Sequence, residues 1–148
     1  MKTRNEVADA LVAKLKTVEG VKVVVRRPVD FNHFQPDQMP AISIQQMPSA
    51  ITPQKGLEGY THAKKEMNFL LYVYTYEGTP EIPPSDQLND ICDAIETALQ
   101  PDSYTAFQTL NDTVSHAWIS GIIEPYESID ASGGLCAATI PINVLMNI

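Results

Sequence analysis

The side chains best able to bind a metal or attack a substrate are three histidines and two cysteines. His33, His62 and His116 lie in separate segments, and no pair of them has the short spacing, with a nearby Cys or Asp, that a zinc site needs. Cys92 and Cys136 are far apart in the chain and form no C-x-x-C pair. The sequence therefore predicts no metal site and no cofactor.

A nucleophile with its base is also hard to assemble from this sequence. Asp112, Ser115 and His116 are close in the chain, but neighbouring residues of a strand point to opposite faces, so they would not converge. Cys92 and His116 could form a thiolate pair, yet the apolar helix pattern around Cys92 would raise the pKa of its thiol. The chain contains neither G-x-S-x-G nor a glycine-rich phosphate-binding loop. We therefore expect that the protein is not an enzyme.

Composition excludes further classes of function. The chain has 148 residues, with ten basic and eighteen acidic side chains and a formal charge of -8. A nucleic-acid groove needs clustered Lys and Arg, and the doublets Arg26-Arg27 and Lys64-Lys65 are more typical of solvated strand ends. The longest apolar run, residues 69–74, is far shorter than the roughly 20 residues that span a bilayer, and the start of the chain resembles no signal peptide. We expect an acidic cytosolic protein with reduced, buried cysteines.

Residues 66–76, which read E-M-N-F-L-L-Y-V-Y-T-Y, predict the strand around which the chain is organised. Strand alternation gives it two faces, one with Met67, Phe69, Leu71 and Val73 and the other with Leu70, Tyr72, Tyr74 and Tyr76. Two apolar faces indicate a central strand, with helices on one side and a second layer or another protein on the other. The tyrosines suit a half-wet face, because each hydroxyl needs a partner or water.

Two amphipathic helices are predicted on either side of this strand. Asn5 is the expected N-cap of the first, whose apolar residues run from Val7 to Val18. Ser85 is the expected N-cap of the second, whose apolar stripe runs from Leu88 to Leu99 and which ends before Pro101. Both helices would lie on one face of the sheet.

Further strands are predicted at residues 21–25, 41–45, 114–123 and 135–146. Pro141 within the last strand implies an edge position or a bulge. Residues 30–39 and 124–130 are predicted as loops, the second of them acidic. The order α-β-β-β-α-β-β predicts an α+β fold, a single domain over residues 1–148 with a mostly antiparallel sheet of about five strands and two helices packed on one face.

Residues 47–63 show little periodicity and are interrupted by prolines and glycines, so they predict a long loop or an extended hairpin before the central strand. Unstructured loops of this length inside compact domains are usually functional or disordered. The segment and its flank carry Lys55, Glu58, Tyr60, His62, Lys64 and Lys65. We expect this segment to contact a partner, although charged loops are often simply solvated.

Over nearly its whole length, the chain resembles the tail terminator (tail completion) proteins of long-tailed bacteriophages. The resemblance lies in the order and spacing of an N-terminal amphipathic helix and valine strand, the P-A-I-S-I strand at residues 40–44, a long loop into F-L-L-Y-V-Y, the helix at residues 88–99 and the closing strand at residues 134–144. The closing I-P-I-N-V-L-M departs from this pattern, because a more regular strand is expected there.

Proteins of this family form a hexameric ring that docks on the last ring of tail-tube subunits, stops polymerisation and offers a surface to the head connector. The resemblance therefore implies a structural virion protein that is assembled in the host cytoplasm. Its implied partners are further copies of itself, the tail-tube protein, the head-tail connector or neck protein and, in a contractile tail, the sheath. DNA would pass through the ring without specific binding, and no membrane would be involved.

The resemblance also implies roles for particular residues. Contacts to the tail tube would come from Lys55, Glu58, Tyr60, Lys64 and Lys65. Ring closure needs two different patches on each subunit, and one of them would be formed by Tyr72, Tyr74 and Tyr76, with the helix faces as the other. An acidic lumen that repels passing DNA would be formed by Glu124, Glu127 and Asp130.

Two other interpretations remain open. A neck or head-completion protein would form a similar ring but bind partners on the portal side. A small α+β enzyme or ligand-binding domain, working as a dimer, would need a concave pocket with converging polar groups. For such a pocket the sequence offers Tyr72, Tyr74 and His116 as scattered candidates.

Overall fold

The computed structural model of the protein describes residues 2–55, 61–101, 106–127 and 134–146. Its elements in chain order are α1 (Arg4–Leu15), β1 (Val23–Val25), β2 (Ala41–Lys55), β3 (Thr61–Tyr76), α2 (Pro84–Ala98), β4 (His116–Ile119), β5 (Glu124–Glu127) and β6 (Leu135–Leu145). One sheet contains all six strands in the order β1-β2-β3-β6, and both β4 and β5 pair with the far side of β6. The predicted α+β class and mostly antiparallel sheet are confirmed, with β1 and β2 as the parallel pair.

α1 begins two residues earlier than predicted. The Glu6 N–H donates to Thr3 Oγ1 (3.1 Å), and the Thr3 N–H donates to Glu6 Oε2 (2.7 Å). This reciprocal pair satisfies two N–H groups that the first turn leaves unpaired, so Thr3 is the N-cap. The prediction of Asn5 as N-cap was wrong, because Asn5 lies inside the helix and its Oδ1 accepts from Arg26 Nη2 (2.9 Å).

α2 confirms the predicted apolar stripe but not its predicted cap. The buried residues are Leu88, Ile91, Cys92 and Ile95, spaced as one face of a helix. The N-cap is Pro83, which makes no side-chain cap bond, and Ser85 lies within the first turn. Pro84 occupies the first helical position, where its fixed φ suits the helix and its missing N–H costs little.

The main core lies between the helices and one face of β3 and β6. β3 contributes Met67, Phe69, Leu71 and Val73, and β6 contributes Ala138, Ile140, Ile142 and Val144, all of them buried. Both helices add their apolar faces to this cluster. The alternation predicted for the two strands is therefore confirmed, because the residues at every second position face the helices.

A second, smaller core covers part of the opposite face. Residues 30–39, predicted as a surface loop, form two short 3-10 turns whose ends bring Phe34 and Met39 against Ala41 and Tyr74. The rings of Phe34 and Tyr74 lie 5.9 Å apart, and the Tyr74 hydroxyl donates to the Val29 carbonyl at 2.7 Å. This segment therefore acts as a partial second layer on the sheet.

The sheet edge beyond β6 differs from the prediction in two respects. Residues 124–127, expected in an acidic loop, form β5 and pair with residues 136–139 of β6. β6 is consequently not an edge strand, although it contains Pro141. Ser120 N–H donates to the Pro141 carbonyl (2.9 Å), and the N–H and C=O of one strand residue point to the same side. The ring nitrogen of Pro141 thus faces the gap between β4, which pairs with residues 142–145, and β5, which pairs with residues 136–139. Its missing N–H therefore removes no ladder bond.

A buried glutamine anchors the segment that leads into β4. Gln108 Nε2 donates to the carbonyls of Gln100 (2.6 Å) and Ala98 (3.4 Å) at the end of α2, and its Oε1 accepts from the Leu110 N–H (3.1 Å). The Ala117 N–H in turn donates to the Gln108 carbonyl (2.9 Å). Gln108 therefore ties the end of α2 to the beginning of β4.

Candidate functional site

The most prominent surface feature is an extended hairpin, here called the arm (residues 48–55 and 61–65). β2 and β3 pair continuously down to Lys55 opposite Thr61, whereas the β6 ladder ends at Glu66 opposite Leu145. β1 pairs with β2 only at residues 41–43. The arm is therefore a two-stranded ribbon that extends about 17–20 Å beyond the sheet, at roughly 3.4 Å per residue. Of the two alternatives for residues 47–63, the described residues 47–55 and 61–63 are paired strands, as in an extended hairpin.

A bulge marks the base of the arm. Between the pairs Met47–Asn68 and Ala50–Glu66, β2 has one residue more than β3. Asn68 Nδ2 donates to the Pro48 carbonyl at 2.9 Å, while Asn68 Oδ1 is buried and has no hydrogen-bond partner within the described chain. A bulge bends a strand and strengthens its twist, so this base sets the direction of the arm.

The arm carries part of the set predicted to contact a partner. Lys64 Nζ lies 3.2 Å from Glu66 Oε1, and both side chains are partly exposed, so the pair contributes at most about 1 kcal/mol. Lys65 lies opposite the exposed Ile51. Glu58, Tyr60 and the side chain of Lys55 lie outside the described part of the chain, so their roles stay predictions.

The three tyrosines predicted at a subunit interface have different environments. Tyr74 is 7% exposed, and burial is the main cause that raises the pKa of its hydroxyl. Its cover therefore comes from its own chain. Tyr72 is half-buried and donates to Gln45 Oε1 at 2.7 Å, whereas Tyr76 is exposed at the end of β3. Tyr72 and Tyr76 are the members of this set that leave surface for a neighbour.

Two of the three acids predicted to line a lumen, Glu124 and Glu127, lie on β5. Glu124 lies opposite Thr139 and Glu127 opposite Cys136, and cross-strand partners share a face of the sheet. The two carboxylates therefore point to opposite faces, and Asp130 lies outside the described residues. Beside them, Ile122 and Tyr126 are 73% and 68% exposed, which is unusual for large apolar side chains on a strand and its turn.

Charge is divided unequally along the chain. This asymmetry is visible in the sequence, but it belongs to no motif. Residues 1–65 contain all ten basic residues and six of the acids, a net charge of +4, whereas residues 66–148 contain twelve acids and no Lys or Arg, a net charge of -12. The first part includes α1, β1 and the arm, and the second includes α2, β4 and β5. Because β1 and β5 lie on opposite sides of the sheet, its two ends differ in charge.

Cys92 and His116, the candidate thiolate pair, are not brought together. Cys92 lies on the buried face of α2, where burial is the main cause that raises the pKa of its thiol to about 11. His116 lies on the opposite face of the sheet, next to the core residue Ala117. Its Nδ1 accepts from the Gln108 N–H (3.0 Å), and its ring stacks on Trp118 with the centroids 5.1 Å apart. Cys92 and His116 are separated by the sheet and form no thiolate pair.

A groove of about 850 Å³ separates α1 from the turn at residues 108–113. Three consecutive non-glycine residues of this turn, Leu110, Asn111 and Asp112, have positive φ values of 48°, 59° and 61°. The turn is closed by the Thr109 carbonyl, which accepts from the Thr113 and Val114 N–H groups at 2.9 and 3.1 Å. The groove is lined by both lysines and acids, and Tyr72, Tyr74 and His116 lie elsewhere. It therefore does not assemble the pocket that the ligand-binding interpretation requires from those three residues.

Among the residues that the structure describes, no group of three or more His, Cys, Asp or Glu side chains is placed to hold a metal ion. Within the same ranges, no helix has the length and apolar character needed to cross a membrane.

Comparison with known proteins finds distant similarity among solved structures only. No protein-family model matches the chain, and no curated protein matches it. Among solved structures, the chain is similar to one chain of the "Virion of native gene transfer agent (GTA) particle", with 11% sequence identity and a TM-score of 0.46. The match covers 89% of this chain and 83% of that chain.

Proposed function

We propose that this protein is a structural virion component that forms a ring on the end of a phage-type tail tube. In this role it stops polymerisation of the tube and provides the docking surface for the head or neck connector. The proposal combines the resemblance to tail terminator proteins with one observation on the described residues, the uncovered arm. Its partners would be further copies of itself, the tail-tube protein, the connector and, in a contractile tail, the sheath.

The arm supports an assembly role because, beyond the bond from the Met146 N–H to the Lys65 carbonyl, no other described strand pairs with its two edges. An isolated two-stranded ribbon is at best marginally stable in water, and its open edges are hazards for non-specific pairing. This arm also exposes Ile51, and the buried Oδ1 of Asn68 at its base has no hydrogen-bond partner among the described residues. A partner surface that packs on the arm would supply the missing cover.

We assign the arm to the contact with the tail tube, through Lys55, Lys64 and Lys65 together with Glu58 and Tyr60, which lie between Lys55 and Thr61 in the sequence. Tyr72 and Tyr76 face a neighbouring subunit in this proposal. The surplus of acids in the second part of the chain keeps the ring negative, so DNA passes without binding. The lumen role of Glu124, Glu127 and Asp130 belongs to the same proposal.

Shortening the arm tests this assignment. Replacing residues 52–64 by Asn-Gly joins Ile51 to Lys65, which already lie opposite each other, through a two-residue turn. Within β3 the core begins at Met67, so we expect the helical bands of the far-ultraviolet circular dichroism spectrum and the number of chains per particle to be retained. Binding to purified tail tubes, measured by co-sedimentation, and the block of further tube growth should both be lost.

A matched control changes the exposed connector at residues 79–82 to Gly-Ser-Gly-Ser and leaves the arm intact. This variant should still bind tubes and stop their growth. If the shortened-arm protein caps tubes as well as the control does, the arm is not the tube contact. Overlong tails in the absence of the protein distinguish a terminator from a neck or head-completion ring, whose loss would leave tail length normal.

A further inference from the structure

The two outermost sides of the sheet carry charges of opposite sign. Among the described strands, β1 pairs with β2 alone, and it is flanked by Lys22, Arg26 and Arg27, which form the basic edge. Within the same ranges β5 pairs with β6 alone and carries Glu124 and Glu127, which form the acidic edge. All five side chains are exposed, and the strand order places the two edges on opposite sides of the molecule.

Contacts within the chain engage part of the basic edge, where Asp9 and Asp37 lie beside the basic side chains, whereas no ion pair among the described residues involves Glu124 or Glu127. Arg26 is engaged locally, since its Nη1 lies 3.2 Å from Asp9 Oδ1, and Lys22 Nζ donates to the Asp37 carbonyl at 3.3 Å. A second ion pair joins Lys64 to Glu66 on the arm. Neither of these two ion pairs links the basic edge to the acidic edge.

From this polarity we propose that copies of this chain associate head to tail, with the basic edge of one copy against the acidic edge of the next. Opposite charges attract across such a contact, while two basic or two acidic edges repel each other. The charges therefore oppose a two-fold dimer that joins like edges. A contact between two different edges generates a closed ring or a filament, so the inference deepens the proposed ring and rests on it for closure.

The acidic edge also has an apolar component. Tyr126 lies between the two glutamates and Ile122 precedes them, and both are largely exposed in the single chain. Tyrosine is among the side chains that contribute most to protein interfaces, because it combines a large apolar ring with a hydroxyl. Contact with a neighbouring copy would bury this surface in addition to pairing the charges.

A purely protective role for the edge charges is the main alternative. Short edge strands with charges and proline, such as β5 with Pro125, often prevent unwanted pairing. Such protection works when the approaching edge has the same sign. Here the charges oppose contact between the β5 strands of two copies, but they do not oppose contact between β5 of one copy and the basic edge of another. The same residues therefore exclude the two-fold arrangement and permit the head-to-tail one.

Reciprocal charge reversal tests the inference. One variant carries Lys22→Glu with Arg27→Glu, and the other carries Glu124→Lys with Glu127→Lys. Solution mass is measured by light scattering after size exclusion, in about 0.1 M and about 1 M salt, where charges are screened beyond roughly 10 and 3 Å. In low salt we expect a ring mass for the parent protein and the mass of one chain for each variant alone.

An equimolar mixture of the two variants should restore the ring mass. In the mixture, the unchanged acidic edge of the first variant pairs with the unchanged basic edge of the second. The reversed edges of the two variants also have opposite signs and pair with each other, so the two chains alternate around the ring. Each double reversal shifts the formal charge of -8 by four, so both variants stay negative and general attraction cannot explain rescue. If a reversed chain does not fold, the neutral pairs Lys22→Gln with Arg27→Gln and Glu124→Gln with Glu127→Gln replace it and should weaken the ring.

The variant Asp90→Lys with Asp93→Lys is the matched control. It makes the same change in net charge as the acidic-edge variant, on exposed positions of α2, which packs on β3 and β6. Its ring mass should equal that of the parent.

Three results would overturn the head-to-tail inference: a parent protein that stays a single chain in both salts, reversed variants that keep the ring mass, or a control that dissociates like the edge variants. Tube capping is measured separately. A ring that caps tubes but ignores edge charges would refute this inference and leave the proposed function intact.

Discussion

Replacing Phe69 by alanine should lower the free energy of unfolding by about 3–5 kcal/mol, the range for removal of a buried aromatic side chain. Phe69 lies in the middle of β3, is 2% exposed, and stands between Gln46 of β2 and Ile142 of β6 in the ladder. Truncation removes the apolar contacts of the ring and leaves a cavity under the helices. Because small domains have total stabilities of about 5–15 kcal/mol, this single change would remove a large fraction.

Equilibrium unfolding in urea, followed by the fluorescence of Trp118 and by circular dichroism, measures this loss. Phe31→Ala is the matched control, because Phe31 is exposed on a 3-10 turn and its truncation should change stability by no more than about 0.5 kcal/mol. A loss below about 1 kcal/mol for Phe69→Ala would show that the helices do not close over β3 as described.

The second large effect is expected from Gln108→Leu. Leucine is close in size to glutamine but offers no hydrogen bond, so the carbonyls of Ala98 and Gln100 and the N–H of Leu110 lose their side-chain partner. Gln108 is 2% exposed, so water does not easily replace it. Unpaired buried polar groups cost about 1–3 kcal/mol each, and we expect a total loss of about 2–4 kcal/mol.

Hydrogen exchange separates this mechanism from a general loss of stability. The Leu110 amide should exchange faster than the global unfolding rate predicts, because its acceptor is gone, whereas amides of β3 should follow global stability. Gln100→Leu makes the same chemical change at an exposed side chain whose carbonyl is retained, and it should be nearly neutral. Equal protection of Leu110 in Gln108→Leu and in the parent would contradict the assigned role.

Two surfaces of the molecule thus have separate assignments. The arm extends beyond one end of the strands and is assigned to a different protein, the tail tube. The sheet edges lie across the strand direction and are assigned to copies of the same chain. The two kinds of variant should consequently have different effects. The shortened arm should abolish tube binding and leave the ring intact, whereas the reversed edges should abolish the ring mass.

The sequence alone determined the parts of the fold that depend on local periodicity. The alternation of residues 66–76 and 135–146 predicted two long strands with one face toward the helices, and the spacing of Leu88, Ile91, Cys92 and Ile95 predicted the buried face of α2. These predictions hold because the side-chain period of a strand or helix decides which residues are buried together, whatever covers them.

Tertiary structure decided which neighbour covers each face and how short polar segments pair. Residues 124–127 contain no apolar alternation and became a strand only because β6 offers a free edge. Tyr74 and Tyr76 look alike in the sequence, yet residues 30–39 cover Tyr74 and leave Tyr76 exposed. Pro141 is tolerated in β6 because its missing N–H faces a corner between two strands.

The candidate surfaces follow the same division. The unequal distribution of Lys and Arg is written in the sequence, since none follows Lys65. The sequence does not show that these charges lie on opposite edges of the sheet. Their positions depend on the strand order β1-β2-β3-β6 with β5 beyond, and strands that are distant in the chain become neighbours only on folding. Composition thus sets how much charge the protein carries, whereas long-range strand pairing decides which surfaces carry it.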